Sequence, residues 1–401
     1  IVLPSTGGGL HYYVDWGDGE CQFIDSASAS HSYENSSRDK VISTGSKTTA
    51  TENAIDTYEY QVRVIGRFKN LNGNLSDSNS NIYYKDRLRS VISMGDVGWS
   101  DLSGAFAYIK DPNFTISLDF INTKNVTKMG AMFEGLSQLS VLNLNPINGE
   151  FDTSNVTEMY MMFYGLENLT TLNLNLTGDN KFVTTNVESM NFMFAGLEGV
   201  TSLNLNLDAP NVFNTENTQQ MNYMFSGMTS LGNLNLNFTG DNKFDTSNVE
   251  HMKGIFRELE SLTELDLNLT SPNKFTTQKV TSMKDMFRGL SSLETLDLNL
   301  SGNNRFDTSM VTSMTEMFLG MNSLTSLDLD LNTPNKFDTS GVKSMAYMFT
   351  GMNSLTSLDL ALTSPNKFDT SIVEYMNSMF SGMTSLTYLN LGADFNVNNV
   401  G

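Results

Sequence analysis

Apolar residues return at fixed places along most of the chain. Phe133, Phe163, Phe194, Phe225, Phe256, Phe287, Phe318, Phe349 and Phe380 are separated by 30 and then seven times by 31 residues. A constant period in this range marks an array of stacked units. Around Phe318 the buried candidates are Val311, Met314, Met317, Phe318 and Met321. At ~100° per residue they fall within an arc of about 120°, which predicts a short helix. Ser247-Asn-Val-Glu250 and Thr185-Asn-Val-Glu188 have capping-box spacing, and a Gly follows two residues after each Phe (Gly135, Gly165, Gly196, Gly227, Gly289, Gly320, Gly351, Gly382). Glu258 interrupts that Gly column, which marks its repeat as the least regular. Strict alternation follows in Leu324-Thr-Ser-Leu327-Asp-Leu329-Asp-Leu331 and predicts a strand with one buried face. A loop such as Thr333-Pro-Asn-Lys-Phe337-Asp-Thr leads onward, its Phe directed into the core.

No single unit can bury its own leucines, so neighbours must cover them. The expected fold is an α/β solenoid: a leucine-rich-repeat-like, right-handed array of about nine to ten 31-residue strand–helix repeats. A degenerate first copy begins at Leu102-Ser-Gly-Ala-Phe106, and the array starts near residue 88. Ahead of it, Tyr12-Tyr-Val-Asp15 runs into an Asp-Gly turn at Asp18-Gly19, and Tyr58 to Gly66 alternates, so a small all-β sandwich is expected. Residues Glu34 to Thr57 lack periodicity and read as a long loop. The expected division is 1–70 for the sandwich, 71–100 for the junction and cap, and 101–401 for the array.

The unit Phe337-Asp-Thr-Ser-Gly-Val-Lys-Ser-Met345 through Met348-Phe-Thr-Gly-Met-Asn-Ser-Leu355-Thr-Ser-Leu-Asp-Leu360 resembles the BspA-like leucine-rich repeats of surface proteins. The N-terminal Val14-Asp-Trp-Gly-Asp-Gly19, His31-Ser-Tyr33 and Tyr60-Gln-Val-Arg-Val64 are similar to a PKD-like sandwich. The resemblance implies a secreted or surface-displayed, non-catalytic protein used in adhesion or binding. Its 31-residue period is longer than the repeats common in that family, and the segment between Tyr33 and Tyr58 replaces a tighter connection.

Charge narrows the partners. Lys+Arg 24 against Asp+Glu 44 gives a formal net charge of −20, which disfavours nucleic acid and anionic membrane. The 46 Asn outnumber all Lys and Arg together. One cysteine, Cys21, excludes a disulfide framework, and no apolar run approaches the ~18 residues of a membrane span. Position 1 is not Met and no signal peptide is present, which reads as a processed chain or a fragment, and the extracellular or cell-surface location is what the resemblance implies.

Candidate chemistry is thin. His11, His31 and His251 share no metal-ligand spacing, no nucleophile elbow occurs, and Gly45-Ser-Lys47-Thr lacks the earlier Gly of a phosphate loop. No enzyme activity, catalytic residue, resident metal or cofactor is expected. The Met column (Met129, Met159, Met190, Met221, Met252, Met283, Met314, Met345, Met376) reads as core. Parallel stacking turns each repeat position into a ladder. On the strand face it runs Asn173, Asn204, Asn235, Asp266, Asp297, Asp328, Asp359, a candidate binding surface whose acidic half could attract Ca²⁺ or a basic partner. The Asp15/Asp18 turn is a second, weaker Ca²⁺ candidate. Lys181, Lys243, Lys274, Arg305, Lys336 and Lys367 face Asp152, Asp245, Asp307, Asp338 and Asp369 and suggest ion pairs between repeats, while the Thr column from Thr153 to Thr370 reads as loop and cap.

Two functions follow. One is an adhesion module that holds a protein or glycan on its strand face and loop ridges. The other is a self-assembling subunit of a filament, sheath or virion surface, joined head to tail through Ile1, Val2 and Leu3 at one end and Leu389, Leu391, Phe395, Val397 and Val400 at the other. Neither involves membrane insertion.

Overall fold

The computed structural model describes residues 98–400 without a break, together with 90–91, 93–95 and five short N-terminal strands. Strand β1 (Val2–Pro4) pairs antiparallel with β4 (Ser28–Ser30), and β2 (His11–Asp15) lies between β3 (Cys21–Ile24) and β5 (Arg63–Arg67). Asp15 pairs with Cys21, so β2 and β3 form the two arms of the expected hairpin. Ile1, Asp18, Glu34–Thr57 and Asn70–Asp86 lie outside the described residues. Strand β6 (Ser90–Val91) pairs in parallel with β7 (Thr115–Ile116), which opens the array close to the expected residue.

No helix occurs among the described residues, which corrects the helical half of each expected repeat. The apolar stripe forms overlapping turns instead. Met317 N–H bonds to Met314 O, Leu319 N–H to Glu316 O and Met321 N–H to Phe318 O, while the alternate N–H groups of Met314, Glu316, Phe318 and Gly320 reach Ser344, Ala346, Met348 and Thr350 O in the next coil. Glu316 (φ 59°) and Gly320 (φ 74°) occupy the third positions of the first and last turns, the left-handed geometry of type II turns. Half of the segment's backbone donors thus serve the neighbouring coil, which an α-helix would keep for itself.

Three ladders of parallel bridges tie the coils. They run through Lys128–Glu158–Ser189–Gln220–His251, through pairs such as Asp307–Lys336, and through Thr295–Ser326. The leucine segment keeps its alternation, with Leu324, Leu327, Leu329 and Leu331 buried and Thr325 and Asp328 exposed. Yet regular strand survives only in β8 (Ser357–Asp359) and β9 (Tyr388–Asn390), paired in parallel. In strand and non-strand coils alike the Asp or Asn side chain takes the N–H two residues on, as Asp328 Oδ1 does for Asp330 and Asp359 Oδ1 for Ala361, both at 2.9 Å.

The core follows the columns. Phenylalanines from Phe106 to Phe380 form one stack with ring centroids 5.8–6.4 Å apart, including the degenerate first copy. Loop phenylalanines such as Phe182 and Phe306 are fully buried and tilt against that stack. The Met column is buried from Met129 through Met345. The repeat that carries Glu258 is the least regular, as expected, since the first bridge ladder breaks between His251 and Ser282, yet Glu258 itself keeps the turn. It adopts φ 57° and its N–H reaches Arg288 O at 2.7 Å, the path the glycines take.

Candidate binding surfaces

On the strand face, Asn173, Asn204, Asn235, Asp266, Asp297, Asp328 and Asp359 are all exposed and aligned coil after coil. Each spends Oδ1 on the backbone N–H two residues ahead, at 2.8–3.0 Å. The column beside it joins coils: Asn206 Oδ1 accepts from Thr239 N–H at 2.8 Å and Asn299 Oδ1 from Asn332 N–H at 2.6 Å. Asn237 and Asn299 also reach across to Asp266 and Asp328 at 3.4 Å. The face is a row of pre-oriented acceptors that turns from neutral to anionic after Asn235. Among the described residues no three His, Cys, Asp or Glu side chains are grouped to hold a metal ion.

The loop edge is structural. Thr277 is fully buried, and its Oγ1 donates to Asp307 O and accepts Asp307 N–H, both at 2.8 Å. Thr153, Thr184, Thr215, Thr246, Thr308 and Thr339 repeat this double bond, so they pin coils together and do not cap helices. A buried Asn column does similar work: Asn304 Oδ1 accepts from Phe275 N–H at 2.9 Å and its Nδ2 donates to Leu269 O at 2.7 Å. The Lys/Asp ladder pairs mostly within a coil, as in Arg305–Asp307 (2.6 Å), Lys336–Asp338 (2.7 Å) and Lys367–Asp369 (2.6 Å), whereas Lys181–Asp152 (2.8 Å) crosses coils. Burial pulls the carboxyl of Asp338 up, but hydrogen bonds from Lys336 and Ser340 outweigh it and hold the group below its ordinary range.

The turn face differs from both. Its left-handed column reads Ala131, Met161, Phe192, Tyr223, Gly254, Asp285, Glu316, Tyr347, Ser378, so size and charge change from coil to coil while the buried columns stay constant. Phe192 stacks on Tyr223 at 4.8 Å, and the Arg257 guanidinium lies 6.0 Å from the Tyr223 ring centre. Arg288 pairs with Glu316 and stands 3.7 Å from Asp285. Near the start of the array, Tyr108, Glu134, Tyr160 and Met161 wall a half-open cleft of about 320 Å³ over Gly104 and Gly130. The Tyr108 hydroxyl donates to Glu134 Oε1. Burial first, and then Glu134, push this phenol up to about 12. Sequence reasoning passed over this face. The available signal was column-by-column variation, hidden because the stripe was assigned to a helix.

The residues expected at assembly ends are placed as follows. Val2 and Leu3 are paired in β1 with Ser30 and Ala29. Leu389 is 40% exposed where its counterpart one coil earlier, Leu358, is 1% exposed, which measures how much a following coil covers. Val397 is exposed, and Leu391, Phe395 and Val400 are half-buried.

The family model described as Mycoplasma protein of unknown function, DUF285, matches residues 100–237, 203–325, 232–354 and 293–401. The chain belongs to this family. The DUF285 matches begin where the continuous stack begins and overlap along it, so the family is defined by the coils themselves. No curated protein and no solved structure matches the chain.

Proposed function

We propose that this DUF285 chain is a non-catalytic recognition module, displayed outside the cell, in which a stack of coils carries two long accessible faces for a protein or glycan partner. One observation carries the reading: side chains that differ between coils gather on the turn face, whereas the constant Thr, Asn, Phe and Met columns are buried in coil-to-coil contacts. Variation at the half-buried and exposed positions of that column, from Met161 and Phe192 to Tyr347 and Ser378, is what selective contact with a partner requires; identical rungs cannot discriminate. The resemblance to BspA-like surface proteins supports the same reading. The strand-face ladder supplies acceptors and, from Asp266 onward, negative charge for a basic partner or for Ca²⁺.

The test is saturable binding of the labelled full chain to intact cells, matrix proteins and arrayed glycans. It compares wild type with a turn-face variant (Lys253→Ala, Lys284→Ala, Tyr347→Ala) and a strand-face variant (Asp266→Asn, Asp297→Asn, Asp328→Asn, Asp359→Asn). Loss in either variant supports recognition and names the face, and a Ca²⁺ requirement abolished by the second variant assigns the cation. Absence of saturable binding, with light scattering that grows with concentration, overturns the module in favour of head-to-tail assembly.

A further inference from the structure

The cleft at the start of the turn face has a definite chemical bias. Gly104 and Gly130 are among its lining residues, and the Tyr160 ring lies directly over Gly130, where a Cβ would overlap it. Tyr108 stands at the position that is Gly in later coils, with φ 62°, and its ring covers Gly135. Two aromatic rings, the Met161 thioether and the Glu134 carboxylate therefore line one small space.

Most backbone hydrogen-bond donors there are already committed, which leaves the hydroxyls of Ser103 and Tyr160 as the side-chain donors open to a ligand. Gly104 N–H goes to Gly130 O at 2.8 Å, Tyr108 N–H to Glu134 O at 2.7 Å, Ala131 N–H to Tyr160 O at 2.7 Å and Met161 N–H to Asn191 O at 2.8 Å. Ser103 N–H is held by Asp101, and the Tyr108 hydroxyl by Glu134. No Lys or Arg lines the cleft, so phosphate, sulfate or carboxylate groups find no counter-charge in a chain of net charge −20. A sugar ring needs donors for its oxygens and finds few. A neutral apolar group would cover the Glu134 charge without compensating it. A cation meets a carboxylate and aromatic faces together, the combination that recognises quaternary ammonium groups. A primary ammonium brings three donors that need three acceptors, whereas a methylated one needs none. A volume of about 320 Å³ suits a single head group.

We propose that this cleft binds a quaternary ammonium group of the choline type, seated on Tyr108 and Tyr160 with Glu134 as counter-ion. The proposal rests on the turn face being a recognition surface, yet it fails separately, since later coils can hold a partner while this cleft stays empty. The experiment titrates the full chain with choline chloride, with N-acetyl-lysine amide and with KCl, followed by calorimetry and by contacts between N-methyl protons and tyrosine ring protons. Choline is expected to bind saturably and more tightly than the lysine derivative. Tyr160→Ala should weaken it by about tenfold, the loss of one cation–aromatic contact, with Tyr160→Phe retaining affinity and Glu134→Gln losing it several-fold. If Tyr160→Ala fails to fold, the Glu134→Gln titration and the proton contacts in wild type decide alone. No saturable choline binding, tighter binding of the lysine derivative, or binding indifferent to these substitutions would overturn the assignment.

Discussion

Tyr223 and Asp285 lie two coils apart, 62 residues in sequence, and the Tyr223 hydroxyl donates to Asp285 Oδ2 at 3.0 Å. The ring crosses the intervening coil above Gly254, whose missing side chain is what lets it pass. Asp285 is 2% exposed, and its carboxylate is also approached by Arg288 and Lys284.

This crossing predicts coupling between Tyr223 and Gly254. Gly254→Ala places a Cβ in the ring and forces an L-residue into φ 55°, for a combined cost of about 2–4 kcal/mol. In a Tyr223→Ala background the overlap vanishes and only the backbone strain remains, ~1–2 kcal/mol. A double-mutant cycle of denaturation midpoints checks this, and additive costs would show that the ring does not depend on the glycine.

The same phenol sets an alkaline limit. Burial first, and then the Asp285 charge and hydrogen bond, raise Tyr223 to about 12, and Tyr108 is raised to about 12 beside Glu134. An unfolded tyrosine ionises near 10.0, so from there upward the unfolded chain releases protons that the folded chain retains. The stabilisation is complete below pH ~10 and is lost as pH rises toward 12. Melting temperatures from pH 9 to 12 should fall more shallowly for Tyr108→Phe/Tyr223→Phe than for wild type. Parallel curves would remove these two phenols from the account.

The Thr column predicts a sharp contrast between near-isosteric substitutions. Thr277→Val leaves the N–H and C=O of Asp307 without the hydroxyl that serves both, at about 2–4 kcal/mol for two buried polar groups. Thr277→Ser keeps the hydroxyl and should cost under about 1 kcal/mol, mainly the lost methyl. Urea midpoints of the two variants measure the difference, and equal costs would mean that the column acts through packing.

Much of this was legible beforehand. The period located every coil, the Phe and Leu columns named the core, and the alternation at Leu324–Leu331 gave the correct faces. The helix was wrong for a definite reason. Overlapping turns bury Val311, Met314, Met317, Phe318 and Met321, the same positions a helix would, and hydrophobic spacing does not say whether an N–H bonds within its coil or to the next. The consequence reached the site. Assigning the stripe to a helix hid the left-handed column in which Tyr223, Asp285 and Glu316 project together, and left the Thr residues looking like caps. The strand-face residues were found because exposure alternates with the leucines, but their Asx bonds depend on backbone geometry that alternation does not encode.

The buried Asn column offers the most demanding test, because one proton distinguishes its two versions. Asn304 is 2% exposed, accepts from Phe275 N–H, and donates Nδ2 to the carbonyls of Leu269 at 2.7 Å and Ser301 at 3.0 Å. Asn304→Asp sets a charged oxygen against both carbonyls at neutral pH, a loss of about 3–5 kcal/mol, the scale of an uncompensated buried charge. Protonated, the same group can donate to Leu269 O, so its folded-state pKa must lie above its unfolded one. The deficit relative to wild type is therefore small below the unfolded carboxyl range and grows as pH rises through the folded pKa. Wild type runs the other way in acid, since Asp152, Asp245, Asp338 and Asp369 are held below the ordinary 3.8 and their contribution disappears only as they protonate. Melting curves of both proteins between pH 3 and 8 should converge toward acid and separate toward neutrality. A deficit constant across that range would show that the amide is needed for its shape alone, and not for the donor it places between coils.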